Sequence, residues 1–100
     1  MVIESAQLPV TPGREEEFER AMVRGREILE NAPGSGKVMV TRGVESPSSY
    51  VLLIEWDSVE QHQKAAEDES FLEFRELLRG FYEGKPIVQH FARLHGPGLK

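Results

Sequence analysis

An α+β fold with the element order βαββααβ is predicted by three features of this 100-residue sequence. Residues 14–31 place their apolar side chains at the i, i+3, i+4 and i+7 spacing of an amphipathic helix. Residues 50–56 (YVLLIEW) are apolar on both sides of an extended chain, which is typical of a strand covered on both faces. Two short helical stretches and a further strand follow. A chain of this length forms one domain, which we place at residues 1–95, with residues 96–100 as a flexible tail.

Turn and capping residues set the limits of the first strand and the first helix. Residues 2–9 form a short strand that ends before a turn at Thr11 and Pro12. We expect Thr11 to cap the helix and Pro12 to occupy its first position. The glycine-rich residues 32–36 (APGSG) then end the helix and turn the chain.

The second predicted strand covers residues 37–45 (KVMVTRGVE), where apolar and polar side chains alternate. Val38, Val40 and Val44 are expected to share one side of this strand. A turn at residues 46–49 leads into the third strand, which is the most apolar segment of the chain.

Capping boxes predict two consecutive short helices after the third strand. Ser58 pairs with Gln61, and Ser70 pairs with Glu73, at the spacing of a side-chain cap. Gly80 suits a left-handed cap at the end of the second helix. The predicted elements of this half are helices over residues 58–66 and 70–79 and a strand over residues 87–94.

This order of elements is that of a ferredoxin-like split βαβ arrangement, a four-stranded antiparallel sheet with helices on one face. The third strand projects apolar side chains to both faces, so one apolar row must lie away from the helices. We expect a second copy of the chain to cover that row; the monomeric alternative is a cover of loops and the C-terminal tail. The two rows are Tyr50, Leu52, Ile54 and Trp56, and Val51 and Leu53.

The composition argues against several classes of partner. The formal net charge is −5, whereas binding to nucleic acid or to an anionic membrane requires a basic surface. The chain has no cysteine, which excludes disulfides, thiolate nucleophiles, iron–sulfur clusters and cysteine zinc sites. The N-terminal segment lacks the basic region of a signal peptide, and no apolar run approaches the roughly 20 residues that span a bilayer. We expect a cytoplasmic protein.

No metal or phosphate site is predicted. The histidines, His62, His90 and His95, show no HxxxH or HExxH spacing. His90 and His95 lie on a predicted strand at an odd separation, so their side chains are expected on opposite faces. The glycine-rich residues 32–37 (APGSGK) follow a helix and precede a strand, which is the reverse of the order in a phosphate-binding loop.

The candidate functional residues are side chains that combine bulk with a polar group. Trp56 ends the third predicted strand, and His62 lies one to two turns into the following helix. His62 shares a helical face with Val59 and Ala66, which points it towards the sheet. Both a core-packing role and a functional role stay open for His62 and Trp56. The other candidates are Tyr50, Tyr82, His90 and Arg42.

Four segments of the chain resemble one known family. They are TPGREEEF (11–18), APGSG (32–36), ESPSSYVLLIEWDSVEQH (45–62) and SFLEF (70–74). Together they are similar to the antibiotic biosynthesis monooxygenase (ABM) domain, and the resemblance extends over about residues 2–94. These motifs consist of turns and packing residues, so they bear on the fold more than on the activity.

The resemblance implies a dimeric α/β barrel, in which two ferredoxin-like protomers pack their sheets face to face. Each protomer would hold a pocket between its own sheet and helices. Characterised relatives oxidise aromatic phenols to quinones with molecular oxygen and without metal or flavin, so no cofactor is expected. The haem-degrading branch has a histidine ten residues after the strand-end tryptophan and an asparagine on the first strand. Ala66 and Gln7 stand there instead, which argues against haem.

For an oxygenase, the resemblance implies a base, donors that hold a substrate anion, and an aromatic surface. Histidine suits the role of the base because it titrates near neutral pH. The expected roles are His62 or His90 as the base, Arg42 or Gln7 as the donor to the anion, and Trp56 or Tyr50 as the side chain that stacks on the ring.

The alternative function is that of a non-catalytic dimeric protein that binds a small molecule or is associated with stress. It would have the same pocket and no positioned base. Because function depends on the site rather than on the fold, the sequence leaves the two open, and it does not identify the substrate.

Overall fold

The computed structural model describes residues 1–98 and confirms the α+β class and the four-stranded antiparallel sheet. In chain order the elements are β1 (Val2–Pro9), α1 (Glu15–Glu30), β2 (Ser35–Arg42), β3 (Ser49–Trp56), α2 (Val59–Ala66), α3 (Glu69–Leu78) and β4 (Ile87–Ala92). The strands lie in the order β2-β3-β1-β4, and each neighbouring pair is antiparallel. Within residues 1–98, no helix is long and apolar enough to cross a membrane.

The core lies between the helices and one face of the sheet. Phe18 of α1 is fully buried, and its ring centroid lies 4.7 Å from that of Tyr50 on β3. Burial of each large apolar side chain stabilises the fold by roughly 1.5–3 kcal/mol before the entropic cost of ordering it. The core also includes Ala6, Leu8, Met22, Leu29, Leu52, Ile54, Phe71 and Leu78.

The opposite face of the sheet carries the second apolar row, as predicted from the alternation of β3. Val51 and Leu53 are only partly buried there. Gln7 pairs with both Val51 and Ile87, which places Ile87 on the same face. Ile87 and Phe91 are 54% and 51% exposed. We call this surface, formed by Val51, Leu53, Ile87 and Phe91, the outer face.

The start of α1 differs from the prediction. Arg14 is the N-cap residue and makes no side-chain cap, whereas Thr11 accepts the Arg14 N–H through its carbonyl oxygen at 3.0 Å. Gly13 has a φ of 97°, a left-handed conformation that is incompatible with a helix already begun at Pro12. The predicted capping roles of Thr11 and Pro12 are therefore wrong, and Glu15 Oε1 accepts the Gly13 N–H at 2.9 Å instead.

One of the two predicted capping boxes is confirmed in its serine half only, because the Gln61 side chain donates to the Pro33 carbonyl oxygen rather than accepting from the Ser58 N–H. Ser58 Oγ accepts the Gln61 N–H at 3.0 Å at the start of α2. The cap of α3 is Asp68 rather than Ser70, because Asp68 precedes Ser70 and its Oδ1 accepts the Ser70 N–H at 3.1 Å. Gly80 follows α3 with a φ of 87°, the left-handed conformation predicted for it.

The second strand ends earlier than predicted. β2 stops at Arg42, and the Gly43 N–H donates to the Ser49 carbonyl oxygen at 2.7 Å, which closes the turn to β3. Val44 consequently lies outside the strand and is 87% exposed, while Val38 is buried as expected. The placement of Val44 in the inward row is wrong.

The last strand ends at Ala92 because Ala92 pairs with Val2, the first residue of β1, and no partner residue continues the ladder. Residues 93–98 form neither helix nor strand. The predicted tail, residues 96–100, lies partly outside the described residues, and the domain limit at residue 95 stays a prediction.

Candidate functional site

A cavity of about 380 Å³ lies between the sheet and the helices α2 and α3. Most of its wall is apolar, and the residues with polar groups on it are Glu4, His62, Arg75 and Tyr82. The apolar wall consists of Ala6, Leu8, Leu29, Leu52, Ile54, Ala66, Phe71, Phe74, Leu78, Pro86 and Val88.

A second depression of about 390 Å³ lies outside the core, beside α1 and Val40 of β2. Its charged groups include Arg26 and Glu30, which pair with each other at 3.1 Å on the helix surface. It contains no histidine, and its other carboxylates, Glu19 and Glu27, form exposed ion pairs with Arg42 and Arg24. The cavity beside His62 is therefore the better candidate for a site.

The local sequence explains why Trp56 and His62 meet. Trp56 is the last residue of β3, and the Ser58 cap starts α2 directly after it. The first turn of α2 then brings His62 back over the sheet. The two rings are stacked, with centroids 4.7 Å apart and an interplanar angle of 12°. Trp56 is fully buried.

Glu4 is a buried carboxyl group in the middle of this arrangement. It points to the helix side of β1 in the same row as Ala6 and Leu8, and it is 6% exposed. Its Oε1 accepts the Trp56 Nε1–H at 2.8 Å and lies 3.3 Å from His62 Nε2. Trp56 thus gives the carboxyl group one of the hydrogen bonds that burial requires.

His90 completes the group from the edge strand. It pairs with Glu4 across β1 and β4, which places both side chains on the helix side of the sheet. Its Nε2 lies 2.7 Å from His62 Nδ1, so one ring donates and the other accepts, according to the tautomer. We call Glu4, Trp56, His62 and His90 the Glu4 cluster.

Burial disfavours charge on both central members of the Glu4 cluster. Burial raises the pKa of Glu4, and the hydrogen bond from Trp56 and the charge of His90 offset part of this effect. Burial also lowers the pKa of His62, and the charge of His90 acts in the same direction. Glu4 Oε1 and His62 Nε2 thus lie 3.3 Å apart in a polar contact in which burial disfavours the charged form of each partner.

Tyr82 is a further titratable group on the cavity wall. Burial raises the pKa of its hydroxyl to about 12, so the group stays protonated at neutral pH. Its hydroxyl has no hydrogen-bond partner within residues 1–98 and is available to a molecule in the cavity.

Of the seven residues that the sequence singles out, the structure brings Trp56, His62 and His90 together in the Glu4 cluster and places Tyr82 on the wall of the same cavity. The other three lie elsewhere: Tyr50 donates its hydroxyl hydrogen to Glu19 Oε2 at 2.5 Å, and Arg42 Nη1 donates to the same oxygen at 3.1 Å.

Gln7 is exposed and lies on the outer face of the sheet. Arg42, Tyr50 and Gln7 are absent from the cavity wall, and their assignment to substrate binding stays a prediction.

The sequence reasoning missed Glu4 and Arg75. A signal for Glu4 was present, because the alternation of β1 puts a carboxyl group in the inward row of Ala6 and Leu8. A charged residue in such a row is rare unless it has a partner. Arg75 carried no comparable signal; it donates two hydrogen bonds to the Ala66 carbonyl oxygen at the end of α2.

The described part of the chain contains no group of three or more His, Cys, Asp or Glu side chains that could hold a metal ion. The Glu4 cluster offers one carboxyl group and two imidazoles, and the two imidazoles contact each other through their nitrogen atoms. What the cluster can do chemically is accept, hold and pass protons beside an apolar cavity.

A family model described as antibiotic biosynthesis monooxygenase matches residues 1–77. The chain belongs to this family, which confirms the resemblance found in its sequence. The uncharacterized protein YczJ of Bacillus subtilis (strain 168) is 34% identical over 92 residues, which are 91% of this chain and 97% of that protein.

Solved structures share the fold over nearly the whole chain. A proposed antibiotic biosynthesis monooxygenase from Bordetella bronchiseptica has a TM-score of 0.89 and 29% identity, over 94% of this chain and 97% of that one. SnoaB from Streptomyces nogalater, described as a cofactor-independent oxygenase, has a TM-score of 0.82 and 21% identity, over 95% of this chain and 94% of SnoaB. At this identity the similarity to SnoaB shows the fold alone.

The raised pKa of Glu4 predicts a pH dependence of folding stability. A carboxyl group whose pKa is raised contributes stability that is present below its unfolded value of 4.5 and is lost as the pH rises through its folded value. Glu4→Gln keeps an acceptor for Trp56 and removes the titration. In urea denaturation, the unfolding free energy of the wild type should fall relative to that of Glu4→Gln as the pH rises from 4.5 towards neutrality.

Glu45→Gln is the matched control, because it removes an exposed loop carboxylate. It should leave the slope of stability against pH as in the wild type. If the difference in unfolding free energy between the wild type and Glu4→Gln stays constant with pH, then Glu4 titrates as an ordinary carboxyl group and the prediction is wrong.

Proposed function

We propose that the protein is a monooxygenase that uses no metal or flavin and oxidises a small aromatic phenol or hydroquinone with molecular oxygen. Membership of the antibiotic biosynthesis monooxygenase family supports the reaction class. The observation that carries the proposal is the Glu4 cluster, of which Glu4 and His62 lie at the wall of a mostly apolar cavity, with Trp56 and His90 in contact behind them.

The cavity suits a flat apolar ring that carries few polar groups. Phe71, Phe74 and Leu29 line it with aromatic and aliphatic surface, against which a ring can pack. The Glu4 carboxyl group and the Tyr82 hydroxyl are suited to orient a substrate hydroxyl group, since few polar groups on an apolar wall fix orientation.

The chemistry needs a proton acceptor and a dry site. Loss of the phenolic proton leaves an electron pair on oxygen, and the resulting anion is electron-rich enough to reduce molecular oxygen. A phenol with a hydrogen para to its hydroxyl group then gives one quinone and one water per O₂. The apolar walls exclude water from the anion, and His62 and His90 keep their predicted catalytic involvement as members of the Glu4 cluster.

The competing function is non-catalytic binding of a small molecule in the same cavity. One observation favours it: both ring nitrogens of His62 face protein groups, as in a histidine that serves only packing. The two functions differ in whether oxygen is consumed.

The test is oxygen consumption against a panel of anthrones and of phenols that carry a hydrogen para to the hydroxyl group, with metals removed by a chelator. We expect one quinone to form for each O₂ consumed. Saturable binding of panel members without any oxygen consumption would contradict the monooxygenase and favour the binding function.

A cavity-filling substitution tests where the reaction occurs. Ala66 lines the cavity, and Ala66→Leu adds three carbon atoms to its wall. We expect kcat/KM for the best panel substrate to fall by at least about tenfold, the scale on which a pocket responds to a few carbon atoms. Val23→Leu, on the exposed side of α1, is the control and should leave kcat/KM unchanged. Equal activity of both variants would place the reaction elsewhere.

We further propose that the functional form is a homodimer that packs the outer faces of two sheets together. The support is the exposed apolar surface of Ile87 and Phe91 beside the half-buried Val51 and Leu53. An interface of this kind buries roughly 1,500 Å² or more in total.

Leu53→Asp should dissociate such a dimer, because it places an unpaired charge in the buried interface. Sedimentation at micromolar concentration measures the mass. Leu72→Asp is the matched control, since Leu72 is exposed on α3, and it should remain dimeric. A wild-type protein that sediments as a monomer would contradict the proposal.

A further inference from the structure

His62 is poorly placed to receive a proton directly from a molecule in the cavity. Its Nε2 faces Glu4 Oε1 at 3.3 Å, and its Nδ1 faces His90 Nε2 at 2.7 Å. Neutral imidazole has a single nitrogen that accepts. Whichever tautomer forms, that acceptor faces a protein group rather than the cavity.

Glu4 has the free acceptor that His62 lacks. Its Oε1 is occupied by Trp56 and His62, whereas its Oε2 has no hydrogen-bond partner within residues 1–98. The residue is 6% exposed and lines the cavity. Because Oε2 is not fully buried, a hydroxyl group bound in the cavity can reach it and donate a hydrogen bond to it.

We propose that Glu4 is the catalytic residue that takes the proton of a phenolic substrate at Oε2, while Trp56 and His62 hold its other oxygen in place. This inference rests on the proposed function and assigns the base within it. The substrate class that follows is a neutral hydroxyaromatic compound that enters with its proton, because a preformed anion would meet the carboxylate.

The proton and electron balance closes with oxygen as the co-reactant. The phenol O–H bond breaks, the Glu4 Oε2–H bond forms, and the electron pair stays on the phenol oxygen. The anion reduces O₂ and forms a C–O bond at the para carbon. The para hydrogen then passes as a proton to the terminal peroxide oxygen as the O–O bond breaks, which gives the quinone and hydroxide. The hydroxide takes the phenolic proton from Glu4 and leaves as water.

Each element that packs against Glu4 contributes a group that favours its role as the base. Trp56 from β3 donates to it, His62 from α2 contacts it, and His90 from β4 lies behind His62. Arg75 of α3 and the Tyr82 hydroxyl lie on the same cavity wall. The raised pKa of Glu4 is closer to the pKa of a phenol than that of an ordinary carboxyl group is. This favours proton transfer from the phenol to the carboxylate.

The test compares Glu4→Gln with the wild type on two substrates, one neutral phenol and one more acidic phenol that is already ionised at the assay pH. On the neutral phenol, kcat should fall by about 100-fold or more, the usual scale for loss of a general base, with KM little changed. On the ionised phenol, kcat of the two proteins should differ by less than about threefold, because no proton has to be removed. Glu45→Gln should match the wild type on both.

Two results would overturn the assignment of Glu4. One is an unchanged kcat of Glu4→Gln on the neutral phenol. The other is an equal loss on both phenols in a variant whose tryptophan fluorescence shows that it is folded, since this would indicate a structural role only.

A binding readout separates failure of this inference from failure of the proposed function. 4-Nitrophenol changes its absorbance when it ionises, so its two forms can be titrated separately. The wild type should bind the neutral form at least about tenfold more tightly than the anion, because the anion faces the Glu4 carboxyl group. Glu4→Gln should lose this preference. If the wild type binds neutral 4-nitrophenol more tightly than the anion but consumes no oxygen, only the proposed monooxygenase function is contradicted. If the wild type binds both forms equally, the proposed role of Glu4 is contradicted.

Discussion

The hydrogen bond from the Trp56 indole to Glu4 holds a carboxyl group inside an otherwise apolar core. Burial of a carboxyl group costs several kcal/mol when nothing compensates it, on the order of the whole stability margin of a small domain. The bond at 2.8 Å and the contact with His62 offset this cost on one oxygen only. The second oxygen has no hydrogen-bond partner within residues 1–98, and in the proposed reaction it takes the proton of the substrate.

The strand pairing and the helix cap position the two residues of this hydrogen bond, Glu4 and Trp56. β1 and β3 are paired along their whole length, and this register brings residue 4 beside residue 56, which are 52 positions apart in the chain. The Ser58 cap starts α2 at the end of β3 and thereby sets His62 on the Trp56 ring. Phe18 of α1 packs against Tyr50 at the other end of β3. Proton-handling groups are thus positioned by regular elements rather than by loops, which keeps them within hydrogen-bonding distance.

The architecture could be predicted from the sequence because it depends on periodicity and local caps. Alternation in β3 and the helical spacing of α1 are local patterns, and both were confirmed. The errors at Thr11, Ser70 and Val44 arose where a neighbouring residue competed for the same cap or turn, such as Asp68 for the start of α3.

The candidate site was predictable only in part. Trp56 and His62 are close in the chain, so their contact follows from one strand, one cap and one turn of helix. His90 and Glu4 join them through the strand order, which no local pattern encodes. Arg42 and Tyr50 meet at Glu19 for the same reason, because the pairing of β2 with β3 and the position of α1 are properties of the whole fold.

The most direct test of the buried carboxyl group is the indole N–H resonance of the chain's one tryptophan, followed by NMR as a function of pH. Because Trp56 donates this hydrogen to Glu4, its chemical shift should report the protonation of that carboxyl group. We predict a titration with a midpoint above 4.5, absent from Glu4→Gln. A midpoint at or below 4.5, or a titration that persists in Glu4→Gln, would contradict a buried, partly compensated carboxyl group at the centre of this site.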